Sequence, residues 1–310
     1  MKIKNLASFL LIAIIFAVLA KTIFQNWEVI SAFTWRFNVI DSLFLFVFLV
    51  PIYLINGTSW FLVLRALREK VNYSQVVRVW FLSNACRFIP GGIWQYGGRV
   101  YLSAKLGVAT STSLTALFIE SIFVITIGLI ISLLAFTFVP LPVDVKLTRV
   151  FATVLLILFI FILSLTNQVV VNKIVLILKK IARKKGQIRS FKLSPSWVGL
   201  LSISYFLQFA FGGSVLFFLS RQAVDLGLNL LPVFIGIYAA SWLIGYLTII
   251  APAGLGVQEI SVATILSFYM PFSVAVMVAI FFRIAFLIIE AVSIVVANVI
   301  VMGRPGRKAS

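Results

Sequence analysis

Long apolar segments, separated by short polar stretches, dominate the chain. A helix needs about 20 mostly apolar residues to cross a hydrocarbon core of about 30 Å. The pattern predicts membrane spans at residues 6–20, 39–64, 112–138, 150–171, 197–219 and 272–302. The chain is therefore predicted to be an all-α, polytopic helical membrane protein.

The first apolar segment has two interpretations. Residues 6–20 follow two lysines and end on a small residue, Ala20, which suits a cleaved signal peptide. The length of the apolar run and the polytopic chain that follows favour a retained first span. In that case the N-terminus lies in the cytoplasm.

Two stretches rich in proline and glycine interrupt the helical pattern. The first is RFIPGGIWQYGGR, from Arg87 to Arg99, and the second is APAGLGVQE, residues 251–259. Proline removes a backbone donor and glycine has no Cβ, so a helix breaks at each stretch. Broken backbone is tolerated at membrane depth only where it is buried in protein or lines a wet cavity. Two breaks at comparable places in two halves indicate a transporter-like binding site.

The parts of the chain on either side of each break set the predicted topology. Around the first break, residues 74–106 are flanked by basic residues, which predicts a re-entrant hairpin entering from the cytoplasmic side. Around the second break, residues 230–250 and 257–269 form either a hairpin entering from outside or two further crossings. The chain is therefore predicted to have six to eight transmembrane helices. The hairpin alternative also predicts an inverted repeat.

Composition narrows the classes of function. The chain is 62% hydrophobic and 11% charged, against about 25% charged residues in soluble domains. It has no His and a single Cys, which excludes His-based acid–base catalysis, most zinc sites and an intrachain disulfide. We therefore predict no catalytic, cofactor-binding or metal-binding residues.

Charge is distributed as the positive-inside rule requires. The net charge is +18, and residues 173–192 hold eight Lys/Arg and no acidic residue. This pattern predicts an inner-membrane protein with both termini in the cytoplasm, and it explains the positive charge without nucleic acid. We expect a single membrane domain, residues 1–310, whose halves 1–171 and 193–303 are joined by the basic cytoplasmic loop 172–192.

Four charged residues fall within predicted helices: Glu120, Glu259, Arg283 and Glu290. A charge at the membrane centre costs at least about 2.5–3.5 kcal/mol, so such residues face the protein interior and pair. We expect Arg283 to pair with Glu120 or Glu259. The pairs serve either to fix helix register or to form a head-group or proton site.

The breaks also suit phosphate binding. The helix after each break offers backbone N–H groups and a positive dipole end, and Arg87 and Arg99 flank the first break. Alternatively, these arginines extend to the lipid interface, where Trp94 and Tyr96 are expected as anchors. The candidate lipid-binding residues are Arg87, Pro90, Gly91, Gly92, Gln95, Arg99, Glu120, Pro252, Gly254, Gly256, Glu259, Arg283 and Glu290.

The order of these motifs resembles a known family. The segments RFIPGGIW and Gly98-Arg99, then Glu120, then PAGLGVQE ending at Glu259 are similar to the membrane domain of lysylphosphatidylglycerol synthases. In the synthases this domain is thought to move the aminoacylated lipid between leaflets, and a soluble domain performs the aminoacyl transfer. The chain ends at Ser310, right after its last predicted span, so we expect no synthase domain and do not carry over that activity.

The resemblance implies a stand-alone flippase of cell-envelope biogenesis, which moves an anionic phospholipid or a polyprenyl-phosphate-linked glycan. Its partners are then membrane lipids and enzymes of glycan or lipid biosynthesis. Two alternatives are a membrane glycosyltransferase, for which Glu259 is the candidate acidic residue, and an accessory subunit of a glycan assembly complex.

Overall fold

The computed structural model describes residues 24, 27–28, 38–89, 93–136, 145–165, 167–169, 171–173, 191–248 and 252–302. Helices and turns account for these residues, and the described part contains no strand. The prediction of an all-α, polytopic helical membrane protein is confirmed.

Helices form where the apolar pattern predicts them. In chain order they are α1 (Val39–Ala66), α2 (Tyr73–Asn84), α3 (Trp94–Ala104), α4 (Thr110–Phe136), α5 (Val145–Ser164), α6 (Pro195–Arg221), α7 (Leu231–Leu247), α8 (Val257–Leu266) and α9 (Phe272–Met302). Short 3₁₀ turns, Ala85–Phe88, Leu228–Leu230 and Pro252–Gly254, precede or follow the helices of the two broken elements.

Five helical segments in the described residues are long and apolar enough to cross a membrane. They are Val39–Ala66, Thr110–Phe136, Pro195–Arg221, Leu228–Leu247 and Phe272–Asn298. Helices α2, α3 and α8, with 12, 11 and 10 residues, are too short to cross alone. The segment Leu228–Leu247, a short turn followed by α7, is long enough for a complete crossing, so both interpretations of the second broken element stay open. The predicted first span and most of the basic loop lie outside the described residues.

The described helices form two units with the same order: a long helix, a pair of shorter helices and another long helix. The first unit is α1 to α4 and the second is α6 to α9. In each unit the long first helix packs on the next helix, and the two helices of the broken pair pack on each other. This is the element order that an internal repeat predicts.

The two units run in opposite directions. Helices α1 and α6 pack side by side, with Phe44 stacked on Phe218 near one end and Ser59 bonded to Ser204 near the other. Residue numbers rise along one helix as they fall along the other, so these helices are antiparallel. Both are long enough to cross a membrane, and the units that they begin are therefore inverted relative to each other.

Glycines allow the equivalent helix contact in each unit. Gly57 of α1 faces Val77 of α2, and Gly213 of α6 faces the backbone of Ile235 in α7. An added Cβ at Gly213 would overlap with that backbone, so the two helices approach as closely as small residues permit. Gly212 and Gly213 thus permit close contact between α6 and α7.

The two breaks meet in the interior. Their 3₁₀ turns, Ala85–Phe88 and Pro252–Gly254, contact each other. Ala253 packs against a small apolar cluster formed by the first turn and helix α9. Segments that are about 160 residues apart in the chain are thus brought together at the junction of the two units.

Candidate functional site

Three arginine–glutamate pairs surround the meeting point of the breaks. They join Arg99 to Glu120, Arg283 to Glu259 and Arg87 to Glu290. All six residues are flanked by apolar helix or lie next to a break, where an isolated charge is costly. The pairs neutralise each charge inside the protein.

The first pair links the second helix of the first broken element to the next long helix. Arg99 in α3 donates from Nη1 to Glu120 Oε2 in α4 at 2.5 Å, and its Nε donates to Ser83 Oγ at 3.2 Å. The guanidinium lies 5.1 and 5.6 Å from the rings of Trp60 and Trp80. Aromatic faces attract a cation at such distances, so Arg99 is held in a fixed position.

The second unit repeats this link with the charges exchanged. Glu259 lies in α8 and Arg283 in α9, with 3.2 Å between Glu259 Oε1 and Arg283 Nε. Arg283 Nη2 also donates to the carbonyl of Ala253, within the second break. Of the two expected partners, the structure therefore selects Glu259 for Arg283. Glu120 instead binds Arg99.

The third pair joins the two units. Arg87, in the turn of the first break, donates from Nη2 to Glu290 Oε2 in α9 at 2.5 Å. The other oxygen of Glu290 accepts from Asn84 Nδ2 at 2.8 Å, and Tyr53 donates its hydroxyl to Oε2 at 3.4 Å. The carboxylate is 1% exposed, whereas the Arg87 side chain is 22% exposed. Glu290 thus anchors an arginine whose side chain also lines an open space.

That space is a cavity of about 530 Å³ between the two broken elements. Pockets for small ligands typically measure about 300–1,000 Å³. Charged residues in its lining are Arg87, Arg99 and Glu120, and both breaks contribute residues, including Ile93 and Gly254. A smaller cavity of about 90 Å³ adjoins it and is lined by Glu259 and Arg283.

Several buried polar atoms in the cavity lining have no hydrogen-bond partner among the described residues. These are Arg87 Nε, Trp80 Nε1, Tyr205 Oη and Gln208 Oε1. A buried polar group without a partner costs about 1–3 kcal/mol, so most such groups are paired in folded proteins. A cavity with four of them suits a polar ligand or ordered water.

The structure describes ten of the thirteen predicted site residues. Those that line the larger cavity are Arg87, Gln95, Arg99, Glu120 and Gly254. Glu259 and Arg283 line the smaller one, and Glu290 lies behind Arg87. The backbone of Pro252 lies in the second break, and Gly256, with φ +82°, precedes α8. Pro90, Gly91 and Gly92 lie outside the described residues.

The structure bears on three of the expectations. Arg99 is 3% exposed and paired inside the protein, so it does not extend to the lipid interface. Tyr96 lines the cavity rather than serving only as an interface anchor, whereas Trp94 is half exposed. At the N-terminus of α8, Glu259 Oε2 accepts the Gly256 N–H at 2.8 Å, so this helix end already holds a carboxylate.

Sequence reasoning missed the residues that position the charged groups. Asn84 and Tyr53 hold Glu290, and Trp60 and Trp80 flank Arg99. A signal was present for Asn84, because an amide within a predicted membrane element requires a hydrogen-bond partner. Aromatic residues are too common in this chain, which has 30 Phe, 8 Tyr and 7 Trp, to single out Trp60 or Trp80.

The acidic residues do not assemble a metal site. Within the described residues, no three His, Cys, Asp or Glu side chains come close enough to share a metal ion. Each glutamate of the site is engaged by an arginine instead. The chemistry available to this arrangement is the binding of charge and of polar groups.

Comparison with known proteins supports the family resemblance that the order of the motifs indicated. The family model described as "Lysylphosphatidylglycerol synthase TM region" matches residues 5–293, which is nearly the whole chain. A search of curated proteins finds no match. Both breaks and all three ion pairs fall within the matched region. This multi-pass membrane protein belongs to the lysylphosphatidylglycerol synthase transmembrane-region family.

Proposed function

We propose that this protein moves an anionic lipid between the leaflets of the cytoplasmic membrane, with the lipid phosphate bound at Arg87 in the larger cavity. One observation carries the proposal: Arg87 lines a cavity between two inverted, broken helical elements. Its Nη2 is paired with Glu290, and its buried Nε has no hydrogen-bond partner among the described residues. Arginine suits phosphate because its planar guanidinium offers several donors in a fixed geometry.

The first turn of α3 provides a second favourable feature. Its N-cap residue, Ile93, has no side-chain cap, and Ile93, Gln95 and Tyr96 line the cavity. The partial positive charge of a helix N-terminus stabilises an anion nearby. Arg87 and the N-terminus of α3 therefore line the same cavity, and both favour a negatively charged ligand.

The inverted units supply a physical route for movement. Arg87 belongs to the first unit and Glu290 to the second, and the pair crosses the junction where the breaks meet. A phosphate that binds Arg87 competes with Glu290 for the same guanidinium. Lipid binding thereby weakens a contact between the units, which favours their relative movement as alternating access requires.

The enzyme alternative is less well supported. A glycosyltransferase needs an accessible acidic group, and Glu259 was the candidate. Its Oε1 lies 3.2 Å from Arg283 Nε in an ion pair, and its Oε2 accepts the N–H of Gly256. A carboxylate held in this way is suited to fixing the break rather than to accepting a substrate proton.

The proposal is tested with two matched double variants in proteoliposomes. The first, Arg87→Leu with Glu290→Gln, removes the cavity pair. The second, Arg221→Leu with Asp41→Asn, removes a pair of similar burial between α1 and α6 that does not line the cavity. Each neutralises both charges, so neither leaves an unpaired buried ion.

Acyl-labelled phosphatidylglycerol and labelled polyprenyl-phosphoryl-glucose are reconstituted, and label accessibility to dithionite is followed with and without a proton gradient. We expect the unaltered protein to move at least one lipid, the Arg221 variant to retain that rate and the Arg87 variant to fall to the protein-free rate. The proposal is overturned if neither lipid moves, or if both double variants retain the rate.

A further inference from the structure

Aromatic residues form part of the wall of the larger cavity. Trp242 and Tyr246 of α7 stack with ring centroids 4.8 Å apart and an interplanar angle of 15°, and both line the cavity. Trp80 and Tyr205 also belong to its lining. A flat aromatic surface packs well against the C–H face of a sugar ring, which is apolar although the ring edge carries hydroxyls.

Amide and hydroxyl groups complete the lining. Gln95, Gln208 and Gln258 line the cavity, and the buried atoms Gln208 Oε1 and Tyr205 Oη have no partner among the described residues. An amide offers both donors and acceptors, as a hydroxyl does. These groups match a ligand that carries several hydroxyls, because each of them can donate to one protein atom and accept from another.

The described lining offers no free carboxylate to a cationic headgroup. Its charged members in the described chain are Arg87, Arg99 and Glu120, and Glu120 is already bound by Arg99 at 2.5 Å. A lysyl amine entering the cavity would find no uncommitted carboxylate in the described lining. A ligand charge that is desolvated and left unpaired in this way selects against the wrong ligand.

We infer that the cavity selects a lipid phosphate whose headgroup is an uncharged, hydroxylated group such as a sugar, and that it rejects aminoacylated lipids. The phosphate lies at Arg87 and the sugar between the Trp242–Tyr246 wall and the pair Tyr205 and Gln208. This inference rests on the proposed function for the assignment of the ligand to a lipid.

The test measures binding to the purified full chain in detergent, where no second leaflet exists. Four probes are compared by thermal shift: polyprenyl phosphate, polyprenyl-phosphoryl-glucose, lysylphosphatidylglycerol and glucose 1-phosphate. We expect the glucose-bearing lipid to bind at least tenfold more tightly than polyprenyl phosphate, and lysylphosphatidylglycerol to bind more weakly than either.

Matched variants locate the sugar contact. Tyr205→Phe and Gln208→Leu each remove an unpartnered polar atom of the cavity. Each is expected to reduce at least threefold the gain in affinity that glucose gives over polyprenyl phosphate. Tyr269→Phe is the control, because it removes a buried, unpartnered hydroxyl that does not line the cavity. It is expected to leave the gain unchanged.

Three results overturn the inference: equal binding with and without glucose, tighter binding of lysylphosphatidylglycerol, or an equal loss in the control. Binding of glucose 1-phosphate as tight as that of the lipid overturns the lipid assignment and gives the cavity to a soluble sugar phosphate. If the protein binds the glucose-bearing lipid more tightly but moves no lipid in proteoliposomes, the inference is supported. Only the proposed function is then overturned.

Discussion

Arg87 and Glu290 lie 203 positions apart in the chain, and their side chains form an ion pair with 2.5 Å between Nη2 and Oε2. The pair connects the first helix break to the last long helix, at the place where the two inverted units meet. Glu290 is held on its other side by Asn84. A single buried carboxylate thus fixes the position of the arginine that faces the cavity.

The Arg87–Glu290 pair predicts that the single substitution Arg87→Leu destabilises the protein more than the double substitution does. Arg87→Leu leaves Glu290 buried without its cation, and breaking a buried pair from one side costs about 3–5 kcal/mol. Adding Glu290→Gln removes the stranded charge, so thermal stability in detergent should recover most of the loss. Stability that stays low in the double variant would show that the guanidinium itself holds the fold.

The Arg283–Glu259 pair predicts which carboxylate change rescues Arg283→Leu. The single variant leaves Glu259 unpaired, and we expect a marked loss of folded protein, measured by size-exclusion chromatography with fluorescence detection. Glu259→Gln should restore part of it, because glutamine keeps the hydrogen bond to the Gly256 N–H. The rescue is partial, since Arg283 also binds the Ala253 carbonyl.

Glu120→Gln is the matched control for that rescue. Glu120 is paired with Arg99 in the other unit, so its change should not improve the Arg283→Leu variant. Equal rescue by both glutamines would contradict the pairing that the structure shows.

Alanine substitutions at two glycines of the second break distinguish the effect of backbone strain from that of close packing. Gly254 and Gly256 both have positive φ, +66° and +82°, so alanine at either one is disfavoured by about 1–2 kcal/mol. A Cβ at Gly254 would also lie 3.2 Å from the Gly245 Cα, whereas one at Gly256 meets open space. We expect Gly254→Ala to lower the thermal midpoint more than Gly256→Ala. Equal shifts of the thermal midpoint would mean that backbone strain, and not close packing, sets the cost of alanine at both positions.

The charge pattern predicts the sidedness of the loops. In a Cys86→Ala background, cysteine at Gly186 should be protected from a membrane-impermeant thiol reagent added outside, because residues 173–192 are the most basic stretch of the chain. Cysteine at Asp225, between α6 and α7, should react. Labelling in the reverse order contradicts the predicted orientation.

The sequence by itself determined the helices and the places where they end. Apolar segments of about 20 residues or more predict helices because the bilayer leaves no water for the backbone, and Pro252 with Gly254 predicts a break because of local sterics. The predicted helix at 272–302 matches α9, Phe272–Met302, in both of its bounds. Helix formation and helix breaks depend on residues that are close in the chain, so both can be predicted from the sequence alone.

Only the tertiary structure decided which residues act together. The sequence marked Arg283 and Glu290 as charges that need partners, but it offered two carboxylates for Arg283 and no cation for Glu290. The partner is set by which helices pack, and small residues such as Gly213 decide how closely they approach. The cavity and its unpartnered atoms arise from that packing, because a space between two breaks exists only once both units are in place.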